Sequence, residues 1–414
     1  MRAVYRLMTI AGVGAIAFGC GDSQGPIIEL PRELSVAEGK LVEADNKFAF
    51  KLFREVNEQD TGKNIFISPL SVGMALGMTY NGAAGATREA MQEALELQGM
   101  TIEEVNEAYG SLIDLLRDLD PQVEFLLANS IWYRNTMTFE QEFLDLNVQY
   151  FDAEVSALDF NSPSAANTIN DWVYQNTSGR IEEIVGNPID PATIMFLINA
   201  IYFKADWASQ FDKDLTQDAP FYLEDGSQTT VDMMRHEDEV SIRYYNDWDN
   251  HTQVVDLPYG GQAYSMTILL PEDPEGIADL IEGLTHDQWT GWIAALDSTS
   301  QYVSMPKFML EYELTMNDVL SALGMSIAFD TNAADFTNMY APGGVFISKV
   351  KHKTFVEVNE EGTEAAAVTS VEMGLTSVGP QPIVIDRPFV FAIRENHSGT
   401  ILFVGKMLNP NSEL

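Results

Sequence analysis

The sequence predicts one mixed α+β domain behind an export signal. Apolar residues recur at helical spacing early in the chain, and strand-like apolar runs dominate its middle. No repeat or linker-like composition shift divides it after residue 40. The 414 residues are 46% hydrophobic and 21% charged, enough to bury a large core and incompatible with a disordered or collagenous chain. Lys and Arg number 23 against 62 Asp and Glu, a formal charge of -39. So acidic a surface repels phosphate backbones and excludes nucleic acid as a partner. A single cysteine leaves no internal disulfide and no Cys-rich metal site.

Residues 1–19 read as an address. Arg2 and Arg6 precede an apolar run from Leu7 to Phe18, too short for a stable membrane span. Ala17-Phe18-Gly19-Cys20 closes it with small residues before the cysteine. The pattern resembles a bacterial lipobox, in which Cys20 becomes the lipidated first residue and anchors the chain to a membrane. A plain secretory signal with an incidental cysteine is the alternative. On either reading the chain is exported, to the periplasm or the extracellular side. Residues 20–40, with Gly21, Gly25, Pro26 and Pro31, read as a tether, and 41–414 as the domain.

Within that domain, Phe48, Phe50, Leu52 and Phe53 give helical spacing across Val42–Val56. A second helix surrounds Val72, Ala75, Leu76 and Met78, and a third follows Thr87 as its N-cap. Gly82, Gly85 and Thr87 mark a helix–helix turn rather than a phosphate loop, for no strand precedes them and no lysine follows. Glu103-Glu104 reads as an exposed first turn after Thr101. Strands are predicted at Val123–Arg134, Thr193–Phe203 and Tyr264–Leu270, the last stopped by Pro271. Two further helices fall around Asn167–Tyr174 and Met316–Leu323.

Catalytic and metal signatures are missing: there is no G-x-S-x-G, H-E-x-x-H, phosphate loop or dinucleotide fingerprint. The five histidines (His236, His251, His286, His352, His397) are scattered, none at ligand spacing from another. Glu272-Asp273-Pro274-Glu275 reads as a polar turn rather than a calcium site. Neither an enzyme nor a cofactor is implied.

The unusual segment runs from Glu360-Glu361-Gly362 through Thr363, Glu364, Ala365, Ala366, Ala367, Val368 and Thr369 to Pro382. A strand-like run, Thr354–Val358, precedes it, and Ile383-Val384-Ile385 follows. Connections this long without structure of their own are uncommon and often functional. In an extended strand Thr363, Ala365, Ala367 and Thr369 share one face, all small and uncharged, while Glu364, Ala366 and Val368 share the other. Such a segment suits insertion between two existing strands.

With this segment in view, the chain resembles a serpin over residues 40 to 410. Asn64-Ile65-Phe66-Ile67-Ser68-Pro69-Leu70-Ser71 resembles the stretch entering the family's second helix. Asn199–Trp207 resembles its central-sheet signature, Glu360–Ala367 its reactive-loop hinge, and Asp386–Phe391 with Leu402–Lys406 its C-terminal signature. The resemblance implies three β-sheets, a large central one among them, surrounded by eight or nine helices, with an exposed reactive-centre loop at about 360–382. It also implies a suicide inhibitor of serine proteases, acting as a monomer, whose cut loop inserts into the central sheet and traps the acyl-enzyme. A serpin-fold binding or scaffold protein that no longer inhibits is the alternative reading.

Site residues follow from the same resemblance. Gly362 matches the hinge glycine, where the backbone is expected to bend freely. The family's spacing from Gly362 places the reactive bond at Thr376-Ser377. Counting back from Pro388 gives Ser377-Val378, and Met373 and Leu375 are further alternatives. With no Arg or Lys among them, elastase-, chymotrypsin- or subtilisin-like targets are implied, and papain-like cysteine proteases are possible partners. Ser68, Ser71, Asn199 and His352 match the "shutter" beneath the opening sheet. Trp207, Lys307 and Glu360 match the "breach", where a Lys307–Glu360 salt bridge is expected.

Overall fold

The computed structural model describes residues 25–363 and 382–412. The chain opens with α1 (Val36–Gln59), β1 (Ile65–Ile67), α2 (Pro69–Tyr80), α3 (Gly85–Ala94) and α4 (Ile102–Leu116). Next come β2 (Val123–Arg134), α5 (Gln141–Phe151), β3 (Glu154–Leu158), α6 (Pro163–Asn176) and β4 (Met195–Asp206). Five strands follow: β5 (Asp212–Tyr222), β6 (Gln228–Arg235), β7 (Val240–Asp247), β8 (Thr252–Tyr259) and β9 (Tyr264–Pro271). Helices α7 (Ile277–Gly283) and α8 (His286–Ala295) precede β10 (Asp297–Gln301), β11 (Val303–Pro306) and β12 (Phe308–Thr315). The last elements are α9 (Asn317–Leu320), β13 (Lys351–Val358), β14 (Gly362–Thr363), β15 (Ile383–Val384), β16 (Phe389–Glu395) and β17 (Ile401–Met407).

Among the described residues this makes nine α-helices and three sheets, as the sequence led us to expect. One sheet has seven strands in the order β1-β17-β16-β9-β8-β7-β10, and a second has four, β15-β11-β6-β5. The third, β12-β13-β14-β4-β2-β3, carries the site. In it β4 pairs along β2 from Val123↔Ala205 to Tyr133↔Met195, so this edge of the site is rigid.

Helix α2 explains where the sheet gains its floor. Ser68 caps it by accepting from the Ser71 amide, and Pro69 starts it where a missing N–H costs nothing. Apart from half-buried Ala75 every residue of α2 is buried, because the helix runs between the seven-stranded sheet and the inner faces of β4 and β13. A second, smaller core of Trp132, Ile169, Val173 and Ile198 fastens α6 to the outer face of β2 and β4.

Three sequence expectations need correction. Helix α1 begins at Val36, inside the stretch read as tether. Ser35 and Glu38 form a capping box there, and Arg32 joins it. Burial alone would raise the Glu38 carboxyl, but hydrogen bonds from Arg32 and the Ser35 amide outweigh it and hold it at about 2. Arg32 and Ser35 are therefore tied to the domain, as is Ile27, whose amide donates to the Gly261 carbonyl at 2.7 Å. Thr87 is not an N-cap; Ala84 holds that position, and the buried Thr87 hydroxyl accepts from the Asp335 amide at 2.9 Å. The helix around Met316–Leu323 is regular only over Asn317–Leu320, because Gly324 turns to φ 107° and breaks the ladder.

Candidate functional site: a strand slot and its hinge

Chain direction fixes the site. β13 ends at Val358, a turn over Asn359–Glu361 follows, and Gly362–Thr363 returns as β14 between β13 and β4. The Asn359 side-chain oxygen accepts from the amides of Glu361 (3.1 Å) and Gly362 (3.2 Å), which closes the turn. Below β14, β4 and β13 pair with no strand lying between them among the described residues. They flank a groove of about 500 Å³ floored by Ser71, Val72 and Ala75 of α2.

At the upper end the turn is held by three elements. Trp207 Nε1 donates to the Asn359 carbonyl at 2.9 Å, and the Trp207 and Phe211 amides donate to the Glu361 and Glu360 carbonyls. Glu360 is buried; its carboxylate accepts from Thr216 Oγ1 at 2.8 Å and from Lys307 Nζ at 3.1 Å. Burial pushes that carboxyl up, but its own amide, Thr216 and Lys307 together bring it below the usual carboxylate range. Glu361 forms an ion pair with Lys213. A Glu360→Gln chain, losing the ion pair, is expected to pass faster into inserted or polymeric forms on mild heating. Native gels after incubation read this, and identical time courses for the two chains would count against it.

The loop expected from 360 onward thus begins with a turn and two residues of β14 in the sheet, Gly362 and Thr363, both buried. Gly362 also carries a requirement besides the expected bend. A Cβ there would meet the Ala205 carbonyl oxygen at 2.0 Å and the Asp206 Cα at 2.5 Å, so glycine is required by close backbone approach.

Midway along the slot, the Ser68 amide donates to His352 Nε2 at 3.0 Å, and Ser68 Oγ donates to the Leu402 carbonyl at 2.7 Å. Ser71 Oγ reaches only the Asn199 backbone carbonyl, at 3.5 Å. The Asn199 side chain turns toward β2: its amide donates to Asn129 Oδ1 at 2.8 Å, and its Oδ1 has no hydrogen-bond partner among the described residues. The expected Asn199–His352 grouping is therefore open. His352 is buried and an acceptor, and burial drives its imidazole down to about 4. A group with a depressed folded pKa contributes stability above its unfolded pKa of about 6.5 and loses it as pH falls toward 4. Between pH 7 and 4 the chain is expected to lose about 3 kcal/mol more than a His352→Gln chain in denaturant titrations. Parallel pH profiles would refute this.

Cys20, Glu364, Ala365, Ala366, Ala367, Val368, Thr369, Met373, Leu375, Thr376, Ser377 and Val378 lie outside the described residues. Sequence reasoning missed Thr216, Lys213, Tyr259 and Asn359 at the hinge and Asn129 in the slot. Asn359 carried a signal, a turn-forming residue directly before the paired glutamates. The others are brought in by pairing across the fold and had none.

A half-open sheet with a hinge already started in it defines a strand-insertion protein. The profile of the Serpin (serine protease inhibitor) family matches residues 43–410, and the chain belongs to that family: it is a protease inhibitor and not an enzyme. It is 37% identical to human leukocyte elastase inhibitor over 90% of this chain and all of that protein. Among solved structures it resembles thyroxine-binding globulin in complex with thyroxine, with TM-score 0.81 and 28% identity over 90% of this chain and all of the other. It also resembles the thermophilic serpin tengpin in the native state, with TM-score 0.80 and 31% identity over 93% and 97% of the two chains.

Proposed function

We propose that the chain inhibits elastase-, chymotrypsin- or subtilisin-like serine proteases as a suicide substrate cut at Thr376-Ser377. The Ser377-Val378 bond and bonds after Met373 or Leu375 are the alternatives. The target's serine oxygen bonds to the carbonyl carbon, the amine of the following residue leaves as a new N-terminus, and the ester remains. Insertion then carries the ester-bound protease across the molecule and distorts its catalytic site before water completes hydrolysis.

The observation that carries this reading is the register. If the loop inserts with the β13–β14 pairing of Val358↔Thr363 and the β14–β4 pairing of Thr363↔Ala205 continued, Ala365 would meet Val356 and Phe203. In the same register Ala367 would meet Thr354 and Ile201, and Thr369 would meet His352 and Asn199. Val356, Thr354 and His352 are buried positions of β13, on the side that lines the groove above α2, so small uncharged residues suit insertion beside them. On insertion Thr369 would bring a hydroxyl to the level of the Asn199 oxygen, which has no partner among the described residues. The uncharged residues around Thr376 support small apolar and medium apolar pockets on the target. The similarity to leukocyte elastase inhibitor agrees with them.

The lipobox-like Ala17–Cys20 supports a bacterial, exported chain held to a membrane by Cys20, and inhibition in this family needs one copy per protease, so the chain acts as a monomer. Denaturing gels with mass spectrometry, after mixing with the three protease classes and trypsin, test the inhibitory reading. The expected result is a covalent complex and a released fragment starting near Ser377. Clean cleavage by all four would leave a non-inhibitory binding protein.

A further inference from the structure

The hinge makes one hydrogen bond that neither the shutter nor the breach accounts for. Tyr259, the last residue of β8, is fully buried, its ring stacked on Trp207 at 4.4 Å and 12° and edge-on to Phe203 at 5.3 Å. Its hydroxyl lies 2.8 Å from Thr363 Oγ1. The sheet neighbours of Thr363 are Val358 and Ala205, neither with a polar side chain, so Tyr259 supplies what the buried hydroxyl needs. Two aromatic rings hold the phenol in place, and burial keeps it neutral far above physiological pH.

We propose that Tyr259 is a positioning residue for loop insertion, a receptor for the hydroxyl of Thr363 that commits the hinge to the first step of the slot. The inference rests on the suicide-substrate reading. The geometry makes the pair one-sided. Drawing Thr363 out of the slot would give its hydroxyl to water and leave the phenol, packed on Trp207 and Phe203, without its partner. With Thr363 in the slot, both are satisfied. The bond therefore holds the first step of insertion in place in the uncut chain, so that insertion after cleavage starts from a seated hinge and competes better with hydrolysis of the acyl-enzyme.

Three substitutions test this in the full mature chain: Tyr259→Phe, Thr363→Val and their combination, with Thr363→Ser as the conservative control. Titration against the protease that forms the complex gives the stoichiometry of inhibition. Each single change is expected to raise it about two- to tenfold, the range of one hydrogen bond. The double change is expected to be no worse than either single one, since one bond is lost only once. Thr363→Ser is expected to match the unsubstituted chain. Unchanged stoichiometry, additive effects, or failure of Thr363→Ser to restore it overturns the proposal. A lower melting temperature with unchanged stoichiometry also overturns it, because that is a purely structural bond. If Tyr259→Phe does not fold, the Thr363→Val and Thr363→Ser pair carries the same decision. Should the unsubstituted chain form no covalent complex, the inhibitory reading fails. Melting of the loop-cut chains then still reads the bond by the same cycle: a coupled loss keeps it, and an additive one removes it.

Discussion

A Gly362→Ala chain is expected to be cut by its target and to let it go. The added Cβ would sit 2.0 Å from the Ala205 carbonyl oxygen and 2.8 Å from its carbon, and both belong to a strand paired along its whole length with β2. No flexible side chain is available to yield. Either β14 leaves the sheet or β4 must shift, and overpacking of this kind costs about 1–3 kcal/mol or more. Since insertion races against hydrolysis, a barrier raised by that amount diverts the acyl-enzyme about tenfold or more toward the cleaved, inactive product. Stoichiometry of inhibition measures it directly. A Gly362→Ala chain as efficient as the parent would mean that the hinge does not pass beside Ala205.

The second large effect lies away from the slot. Asp45 of α1 is buried against α4, where one carboxylate oxygen accepts from Tyr109 Oη at 2.9 Å and the other has no partner among the described residues. Burial raises its carboxyl to about 7, only partly offset by the tyrosine. A raised carboxylic acid contributes its stability below the unfolded pKa of about 3.9 and loses it as pH rises through 7. The cost of ionised Asp45 at pH 8 is then on the order of 4 kcal/mol. An Asp45→Asn chain escapes this but carries an unpaired amide, which takes back roughly 1–3 kcal/mol. The variant is therefore expected to melt higher than the parent at pH 8, with the difference shrinking steadily toward pH 4. A variant that is less stable at pH 8, or a difference independent of pH, would contradict the assignment.

Periodicity made most of the scaffold legible. The run Val123–Arg134 is β2 residue for residue, Tyr264–Leu270 is β9 but for its last residue, Pro271, and Phe48, Phe50, Leu52 and Phe53 are buried residues of α1. Such patterns survive because they reflect which face is buried, a local property. Partners across the fold were not legible. Tyr259 and Thr363 are 104 positions apart, Thr216 and Glu360 are 144, and Trp207 and Asn359 are 152. No local pattern announces such contacts. The close approach at Gly362 was not legible for a related reason: a glycine required by a neighbouring strand looks the same in sequence as one required by a turn. Asn199 was placed correctly on β4, but its amide turned to Asn129 on the adjoining strand, because pairing of β2 with β4 sets Asn129 directly opposite.

Insertion of residues 364–372 between β4 and β13 after the loop is cut is the central claim, and amide hydrogen exchange on the cut chain tests it most directly. These amides should become protected to the level of β4 and β13 themselves. Exchange as fast as that of a free peptide would contradict it.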